Sequence, residues 1–428
     1  MPASPSTARL INDRLALRLL QQEGSLTAGR LKQLTGLSRP TVADLLERLA
    51  ASGLITVVGE SGAQRRGPNA RLYGIVADRA HLAALDVRTG GVLVLVSDLV
   101  GRVLAEVSVP IDGEAGTGAA VERAVGAVQR VATEASGGAG WGRLHTVGIG
   151  APGLVDPATG ELRDSSGLPA WHRSLVAALQ ERLPGARVTV ENETNLAAVA
   201  EQREGAARDR DTFVLLWLGH GVGAAVVLDG TLRRGASGGT GEIGFLPVPG
   251  TGGLPSATDC EGGFHALVGA AAIGALAARG GLPVPGIMDG PGAARVVAEA
   301  VQAVEALAGP GPGAGPGPGP GAEAVAAADA VHAGGFLDAL ADRVAIGAAS
   351  VAALLDPGCV VLGGEVGQAG GAELAGRVAE RLRRMSPLAT EVRASELGGG
   401  AVLRGALLTA RDRAQDELFT PPGHRDAF

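Results

Sequence analysis

The stretch that decides the fold of the first part of the chain is Ser25–Ile55, "SLTAGRLKQLTGLSRPTVADLLERLAASGLI". Thr27 can cap a short helix that Gly36 ends, and Ser38 can cap a second helix that tolerates Pro40 in its first turn. The second helix has apolar residues at helical spacing, namely Val42, Leu45, Leu46 and Leu49. Two short helices joined by a tight turn with a glycine predict a helix-turn-helix.

The flanking segments predict a winged form of this motif. Residues 9–23 place leucines at helical spacing, which predicts a preceding helix. Leu54–Val58 and Ala70–Ile75 are typical of two short strands, and the polar loop between them carries Arg65 and Arg66. A hairpin behind two such helices is a wing, so we expect a head that spans residues 9–76.

The charge of the head indicates a polyanionic partner. Residues 1–75 hold ten Lys or Arg and five Asp or Glu, a net charge of +5. The rest of the chain holds 27 Lys or Arg and 39 Asp or Glu, a net charge of −12. We expect double-stranded DNA to contact exposed residues of the second helix and the wing. The candidates are Ser38, Arg39, Thr41, Arg48, Arg65 and Arg66. The alternative is an ordinary solvated helix surface.

Beyond residue 80 the pattern predicts strands followed by helices, twice over. Three apolar runs lie between residues 81 and 111, followed by a helix at Ala119–Glu134 and a strand from Leu144. A second set begins with the strand "RVTVEN", residues 187–192, and continues with a glycine-rich strand hairpin at 211–235. This repetition predicts a two-lobed α/β body.

Residues 309–322, "GPGPGAGPGPGPGA", contain no apolar side chain larger than Ala. They predict a disordered or polyproline-like insertion in the body. After it we expect a long helix from about 336 to 355, a strand at "CVVLGG", and helices at about 372–385 and 400–415. The tail from residue 419 is expected to be frayed.

The composition of the chain indicates the cellular compartment in which the protein works. Two cysteines, Cys260 and Cys359, are too few for a disulfide framework and indicate a reducing environment. No uncharged apolar run reaches the ~18 residues of a membrane span, and charges interrupt the first apolar stretch, unlike a signal peptide. We therefore expect a cytoplasmic protein without membrane contact.

Five stretches of the body, in this order, resemble the ROK family, which comprises repressors and sugar kinases. They are "GIGAPGLVDPATGEL" (148–162), "GLPAWH" (167–172), "VENETNLAAVAE" (190–201), "LWLGHGVGAAVVLDGTLRRGASGGTGEIGFLPV" (216–248) and "LDPGCVVLGGEV" (355–366). Together with the winged head, the resemblance is to the transcriptional regulators of that family. It implies a two-lobed, actin-like (ribonuclease H-like) ATPase fold over residues 80–416, with a cleft between the lobes. It also implies homodimers that present two heads to a pseudo-palindromic operator.

The phosphate loops depart from the pattern of the family's kinases. Their first loop is Asp-x-Gly-Gly-Thr, whereas "LDVRTGGV" keeps Asp86 but has Arg88 and Thr89 where glycines would admit a phosphate. The second loop keeps its glycines but has His220 in place of a small hydroxyl residue. We therefore expect no bound cofactor.

The corner at Asn192 and Glu193 resembles the sugar-binding Asn and the catalytic Asp of the kinases. A general base must lie within ~3 Å of its proton. The extra methylene of Glu193 moves the carboxylate by about 1 Å, which can cost about 100-fold in rate. We therefore expect no catalytic residue, while ligand contact and helix capping remain open for Glu193.

The resemblance adds Glu242 and His265 to the ligand-binding set, with His265 at the position of a family Glu. For Asn192 and Glu242, structural hydrogen bonding is the alternative to ligand contact. Gly167 stands where the family has a sugar-contacting Asn.

The resemblance also locates the family's zinc site, whose histidine position is Phe245 here. Cys260 is the single cysteine in the segment that matches the zinc ligands. Because a structural zinc takes four nitrogen or sulfur ligands, we expect no metal.

These features favour a DNA-binding transcriptional regulator, a repressor of sugar-related genes. Its altered cleft would sense a sugar-like small molecule and lack kinase activity. The alternatives are an active sugar kinase with a DNA-binding head, and a ligand-free body that serves only for dimerisation.

Overall fold

The computed structural model describes residues 5–61, 69–111, 115–138, 140–163, 168–256, 262–307 and 320–419. The chain divides into two compact units, and each is assembled from separate stretches of sequence. Unit 1 comprises residues 1–149, 174–189 and 406–428, and unit 2 comprises residues 150–173 and 190–405. In the described part of the chain, no helix is long and apolar enough to cross a membrane.

Unit 1 begins with a winged helix-turn-helix head, as predicted. Its elements are α1 (Pro5–Glu23), β1 (Leu26–Thr27), α2 (Ala28–Thr35), α3 (Arg39–Ala51), β2 (Ile55–Ser61) and β3 (Ala70–Ile75). The Thr27 hydroxyl caps α2, and Gly36 ends that helix with a left-handed φ of 69°. Strands β2 and β3 pair as an antiparallel wing. Leu17, Leu31 and Leu45 are almost fully buried and form the centre of the core of the head.

The remainder of unit 1 is built on a five-stranded sheet. Its elements are β4 (His81–Arg88), β5 (Gly91–Asp98), β6 (Val103–Pro110), α4 (Thr117–Ala135), β7 (Leu144–Ala151), α5 (Trp171–Arg182), β8 (Arg187–Asn192) and most of a final helix, Ala401–Leu418. The strand order is β6–β5–β4–β7–β8, and β4 to β6 form an antiparallel meander. β4 and β5 are buried along nearly their whole length, as expected for near-continuous apolar strands.

Unit 2 contains a second five-stranded sheet covered by long helices. Its elements are α6 (Glu193–Glu204), β9 (Phe213–Leu218), β10 (Val222–Leu228), β11 (Thr231–Arg233), α7 (His265–Val268), α8 (Ala270–Arg279), α9 (Gly290–Leu307), α10 (Pro320–Leu355), β12 (Cys359–Gly363), α11 (Gly364–Met385) and β13 (Glu391–Ala394), and α12 (Ala401–Leu418) begins here. The strand order is β11–β10–β9–β12–β13. The β9–β11 meander is antiparallel, whereas β12 runs parallel to both of its neighbours. Helices α8 to α11 supply most of the apolar core against this sheet.

Four boundaries differ from the sequence expectations. Helix α10 begins at Pro320 rather than near 336, because good helix formers continue on both sides of the Gly334–Gly335 pair. Residues 320–322 of the expected insertion are therefore helical, and 309–319 lie outside the described residues. Helix α11 begins at Gly364, with a break at Gly371 where φ is 50°. Phe419, expected in a frayed tail, is only 6% exposed.

Two short strands were not predicted. β1 and β13 have two and four residues, too few for a period-two pattern to stand out. Each is held by pairing with a longer neighbour, β3 and β12 respectively.

Candidate DNA-binding surface and small-molecule site

The N-terminus of α3 is held by its own side chains. The Ser38 hydroxyl accepts a hydrogen bond from the Thr41 amide at 3.3 Å, and the Ser38 and Thr41 hydroxyls lie 2.8 Å apart. This arrangement caps the helix. Both residues retain solvent exposure, so the cap also presents two hydroxyl groups at the start of the helix.

Two arginines on α3 have different environments. Arg39 is exposed, and no described residue forms a hydrogen bond or ion pair with its guanidinium. Arg48 donates to Asp13 of α1 at 2.7 Å and to Asp44 one turn earlier on α3. These carboxylates, with Asp13 the larger influence, raise the pKa of Arg48. Arg39 therefore has no partner among the described residues, whereas Arg48 joins α3 to α1.

The wing arginines, Arg65 and Arg66, lie outside the described residues. Sequence reasoning missed Asp13, whose pairing with Arg48 spans 35 residues. Its place in the first helix carried no signal of that contact.

The turn that resembles the first phosphate loop is closed by an ion pair. The Arg88 Nε and Nη2 atoms donate to the Asp86 Oδ2 atom at 2.8 and 2.6 Å. The Asp86 side chain is 3% exposed and that of Arg88 is 45% exposed. Burial raises the pKa of the Asp86 carboxyl, and the guanidinium of Arg88 opposes that rise. The Arg88 guanidinium therefore occupies the Asp86 carboxylate at this turn.

The glycine loop in unit 2 is occupied by a carboxylate that sequence reasoning did not single out. A Cβ atom on Gly219 would overlap the carboxylate of Glu365, the second residue of α11. A Cβ on Gly290 would lie 3.0 Å from the His220 amide nitrogen and 3.2 Å from Glu365 Oε1. Glu365 thus places its carboxyl group against the Gly219 turn. It follows a Gly-Gly pair, and that adjacency was the available signal.

The corner between β8 and α6 is an amide-capped helix start. Asn192 Oδ1 accepts from the Thr194 and Asn195 amides at 2.9 and 3.3 Å. Its Nδ2 donates to the Gly153 carbonyl at 3.1 Å and to Glu193 Oε2 at 3.2 Å. Asn192 therefore caps α6 and uses both its oxygen and its nitrogen within the protein. The capping role considered for Glu193 belongs to Asn192, and Glu193 begins the helix.

Glu242 and His265 provide two partly buried titratable groups. Burial alone raises the pKa of Glu242, and no described residue pairs with or donates to its carboxylate. Burial, with a smaller contribution from His220, lowers the pKa of His265. The His265 ring meets the Phe245 ring edge to face, with centroids 5.5 Å apart. Glu242 therefore provides a desolvated carboxylate, and His265 provides an imidazole whose lowered pKa favours its neutral form.

Short contacts bring these residues into one neighbourhood of unit 2. A Cβ on Gly239 would lie 3.8 Å from both Glu242 Cγ and Leu154 Cδ2. Leu154 follows Gly153, which accepts the Asn192 hydrogen bond. On the other side, a Cβ on Gly244 would overlap the His265 ring. The segment 239–244 therefore connects Leu154, which lies beside the Asn192–Glu193 corner, with Glu242 and His265.

The positions that match the family's zinc ligands are only partly described by the structure. In the regions that the structure describes, no group of three His, Cys, Asp or Glu side chains is arranged to hold a metal ion. Cys260 and Gly167 lie outside those regions. Phe245 contributes a ring to His265 rather than a ligand atom.

Comparison with known proteins finds two family models. The ROK family model matches residues 94–285 and 319–413, and a winged helix-turn-helix DNA-binding model matches residues 9–56. The chain is 27% identical over 248 residues to the N-acetylglucosamine repressor of Escherichia coli O6:H1. That alignment covers 56% of this chain and 57% of the relative, so the chain spans little more than half the length of this relative.

Two solved structures have a similar fold. A ROK family transcriptional regulator, a homologue of the E. coli MLC protein, has a TM-score of 0.70 at 20% identity and matches 96% of this chain and 98% of its own. At this identity the match concerns the fold alone. A ROK hexokinase from Thermus thermophilus has a TM-score of 0.57 at 29% identity, covering 78% of this chain and 99% of its own. The α/β body is therefore sugar-kinase-like, and both regulators and kinases share it.

Proposed function

We propose that this chain, which belongs to the ROK family, is a DNA-binding transcriptional repressor of sugar-related genes. It carries a winged helix-turn-helix segment ahead of the family domain. The proposal assigns DNA binding to residues 9–76 and effector sensing to the body, residues 80–416. It places the protein in the cytoplasm with its operator, as a homodimer that presents two heads.

The observation that carries the proposal is the exposed face of α3. Ser38 and Thr41 form a stable cap, and beside them Arg39 projects a guanidinium with no partner among the described residues. A free guanidinium at the N-terminal end of a recognition helix suits base edges or phosphates in the major groove. The similarity to the N-acetylglucosamine repressor supports a sugar-related target.

Two features argue against phosphoryl transfer by this chain. Arg88 holds the Asp86 carboxylate, and Arg88 and Thr89 stand where the kinases have glycines, so the turn lacks both the kinase glycine pair and a free acid for a nucleotide. Glu365 places its side-chain carboxyl group against the Gly219 turn, where it would obstruct the approach of a phosphate to the backbone. We propose that the body retains the kinase fold without the kinase reaction.

The effector site is proposed around Glu242 and His265. An unpaired, desolvated carboxylate carries a free-energy cost that a ligand hydroxyl can offset by donating a hydrogen bond. Glu193 lies at the same corner, whereas the Asn192 amide is already engaged within the protein. A polyhydroxylated, sugar-like ligand fits this set of acceptors.

DNA binding is tested by fluorescence anisotropy with the DNA upstream of the gene and a scrambled fragment of equal length. We expect a preference of at least about 1,000-fold for the upstream DNA at moderate salt. Equal affinity for the two fragments would overturn the repressor proposal. ADP release above background with a panel of sugars would instead support the kinase alternative.

Effector binding is tested by thermal shift with sugars and sugar phosphates, because a ligand that binds only the folded state raises the melting temperature. The variant Glu242→Ala should abolish the shift. A panel that leaves the wild type unshifted would favour the ligand-free dimerisation body.

A further inference from the structure

Two glutamine side chains connect the head to the rest of unit 1. Gln415, in α12, donates from Nε2 to Gln21 Oε1 of α1 at 2.8 Å and to the Leu99 carbonyl at 3.0 Å. Gln21 donates in turn from its own Nε2 to the Val100 carbonyl at 3.0 Å. Leu99 and Val100 form the turn between β5 and β6. The three hydrogen bonds therefore join a head helix, a sheet turn and the last helix of the chain.

The hydrogen bonds of this junction differ in burial. Gln415 is 9% exposed and Leu99 is fully buried, so the bond between them is shielded from water, whereas the two bonds of Gln21 are partly buried. The Leu99 amide donates to the Ala77 carbonyl at 2.9 Å, which ties the same turn to the segment that leaves the head. Gly101 completes the turn with a φ of 93°. The sheet turn is thus held by the Gln21 side chain and by the backbone carbonyl of Ala77.

Helix α12, which carries Gln415, is formed by residues of both units. Helix α12 is continuous from Ala401 to Leu418; its first turn belongs to unit 2 and the remainder to unit 1. Within unit 2, a Cβ on Gly405 would overlap the Leu196 carbonyl of α6. The helix that carries Gln415 therefore starts in close packing with α6.

We propose that Gln21 and Gln415 are positioning residues that fix the orientation of the head on the rest of unit 1. This proposal rests on the proposed DNA-binding function. Two heads can occupy two half-sites at once only if each is held at a defined orientation, because an unconstrained head loses the gain in effective concentration. Neither glutamine needs to touch DNA for this role.

The first test is hydrogen–deuterium exchange of the free, full-length protein. In Gln415→Ala and Gln21→Ala, the Leu99 amide and the C-terminal half of α1 should exchange about tenfold faster than in the wild type, as loss of a buried hydrogen bond predicts. Amides in the centre of β4 should be unchanged. The control is Gln129→Ala, on the exposed face of α4. Unchanged exchange at Leu99 in Gln21→Ala, which leaves α12 intact, would overturn the proposal.

The second test separates positioning from general stability. Binding to the footprinted upstream DNA should weaken about tenfold in Gln415→Ala, while binding to the same DNA with one half-site scrambled should change less than about twofold. An equal loss on both DNAs would contradict the positioning role. If the wild type binds no specific DNA, the proposed function fails, whereas the exchange result still decides whether the joint exists.

Discussion

The contrast between Arg39 and Arg48 leads to a prediction about salt dependence. Both arginines lie on α3, and the sequence assigned both to DNA. Each cation that neutralises a DNA phosphate contributes about 0.9 to the slope of log affinity against log salt concentration. Arg39 has no partner among the described residues, whereas Arg48 already contacts Asp13 and Asp44.

We expect Arg39→Ala to reduce the slope by about 0.9 per head if it contacts a phosphate. Between 50 and 200 mM salt, the wild type would then lose about 3.5-fold more affinity per head than the variant. If Arg39 instead contacts a guanine edge, the slope changes little, and discrimination at one base pair falls by about 1–3 kcal/mol. For Arg48→Ala we expect an unchanged slope, because the two carboxylates already compensate its charge.

The assay is fluorescence anisotropy with the upstream DNA at four or more salt concentrations, with Arg30→Ala on α2 as a third variant. Circular dichroism confirms that each variant is folded, since Arg48→Ala also removes the contact between α1 and α3. A reduced slope in Arg48→Ala with an unchanged slope and unchanged base discrimination in Arg39→Ala would refute the reasoning.

Three further predictions concern stability. Glu242→Gln should raise the melting temperature at pH 7, because the raised pKa of Glu242 means that its ionised form destabilises the folded state. This gain in melting temperature should vanish below about pH 4, where the carboxyl is protonated in both the folded and the unfolded state. Arg88→Ala should cost about 1–2 kcal/mol of unfolding free energy, discounted for the exposure of the arginine, and adding Asp86→Asn should recover part of it; no recovery would disprove the pairing. Gly241→Ala should cost about 2–5 kcal/mol in chemical denaturation, since φ is 90° and the methyl would overlap the Ala224 carbonyl, whereas Gly252→Ala, in open space, should lie within about 0.5 kcal/mol of wild type.

The head could be predicted from the sequence because its signals are local. Thr27, Gly36 and Ser38 lie within 12 residues, and each acts on the residues next to it. The strands of the two sheets were also predictable, since buried strands are near-continuous apolar runs. The start of α10 was not, because Gly334 and Gly335 break the local pattern while packing within the core keeps the helix intact.

The candidate site was predictable in its residue types but not in its bonding. Motif resemblance selected Asn192 and Glu242. It could not show that the Asn192 amide is fully hydrogen-bonded, whereas the Glu242 carboxylate has no partner among the described residues. Glu365 was overlooked because its contact with the Gly219 turn joins residues 146 positions apart in the chain. Such pairings depend on how strands are ordered in a sheet, which no short stretch of sequence encodes.

The ion pair between Arg48 and Asp13 also affects how this protein can change over evolutionary time. An aspartate on α1, outside α3, is one of the two carboxylates that compensate the charge of Arg48. A single change at Asp13 would therefore increase the positive charge beside α3 without altering any residue of that helix. Non-specific affinity for the chromosome would rise, and the preference for one operator over the many competing sites would fall. If α3 is the helix that reads DNA, as proposed, the target range of the protein can thus be changed by a residue on α1.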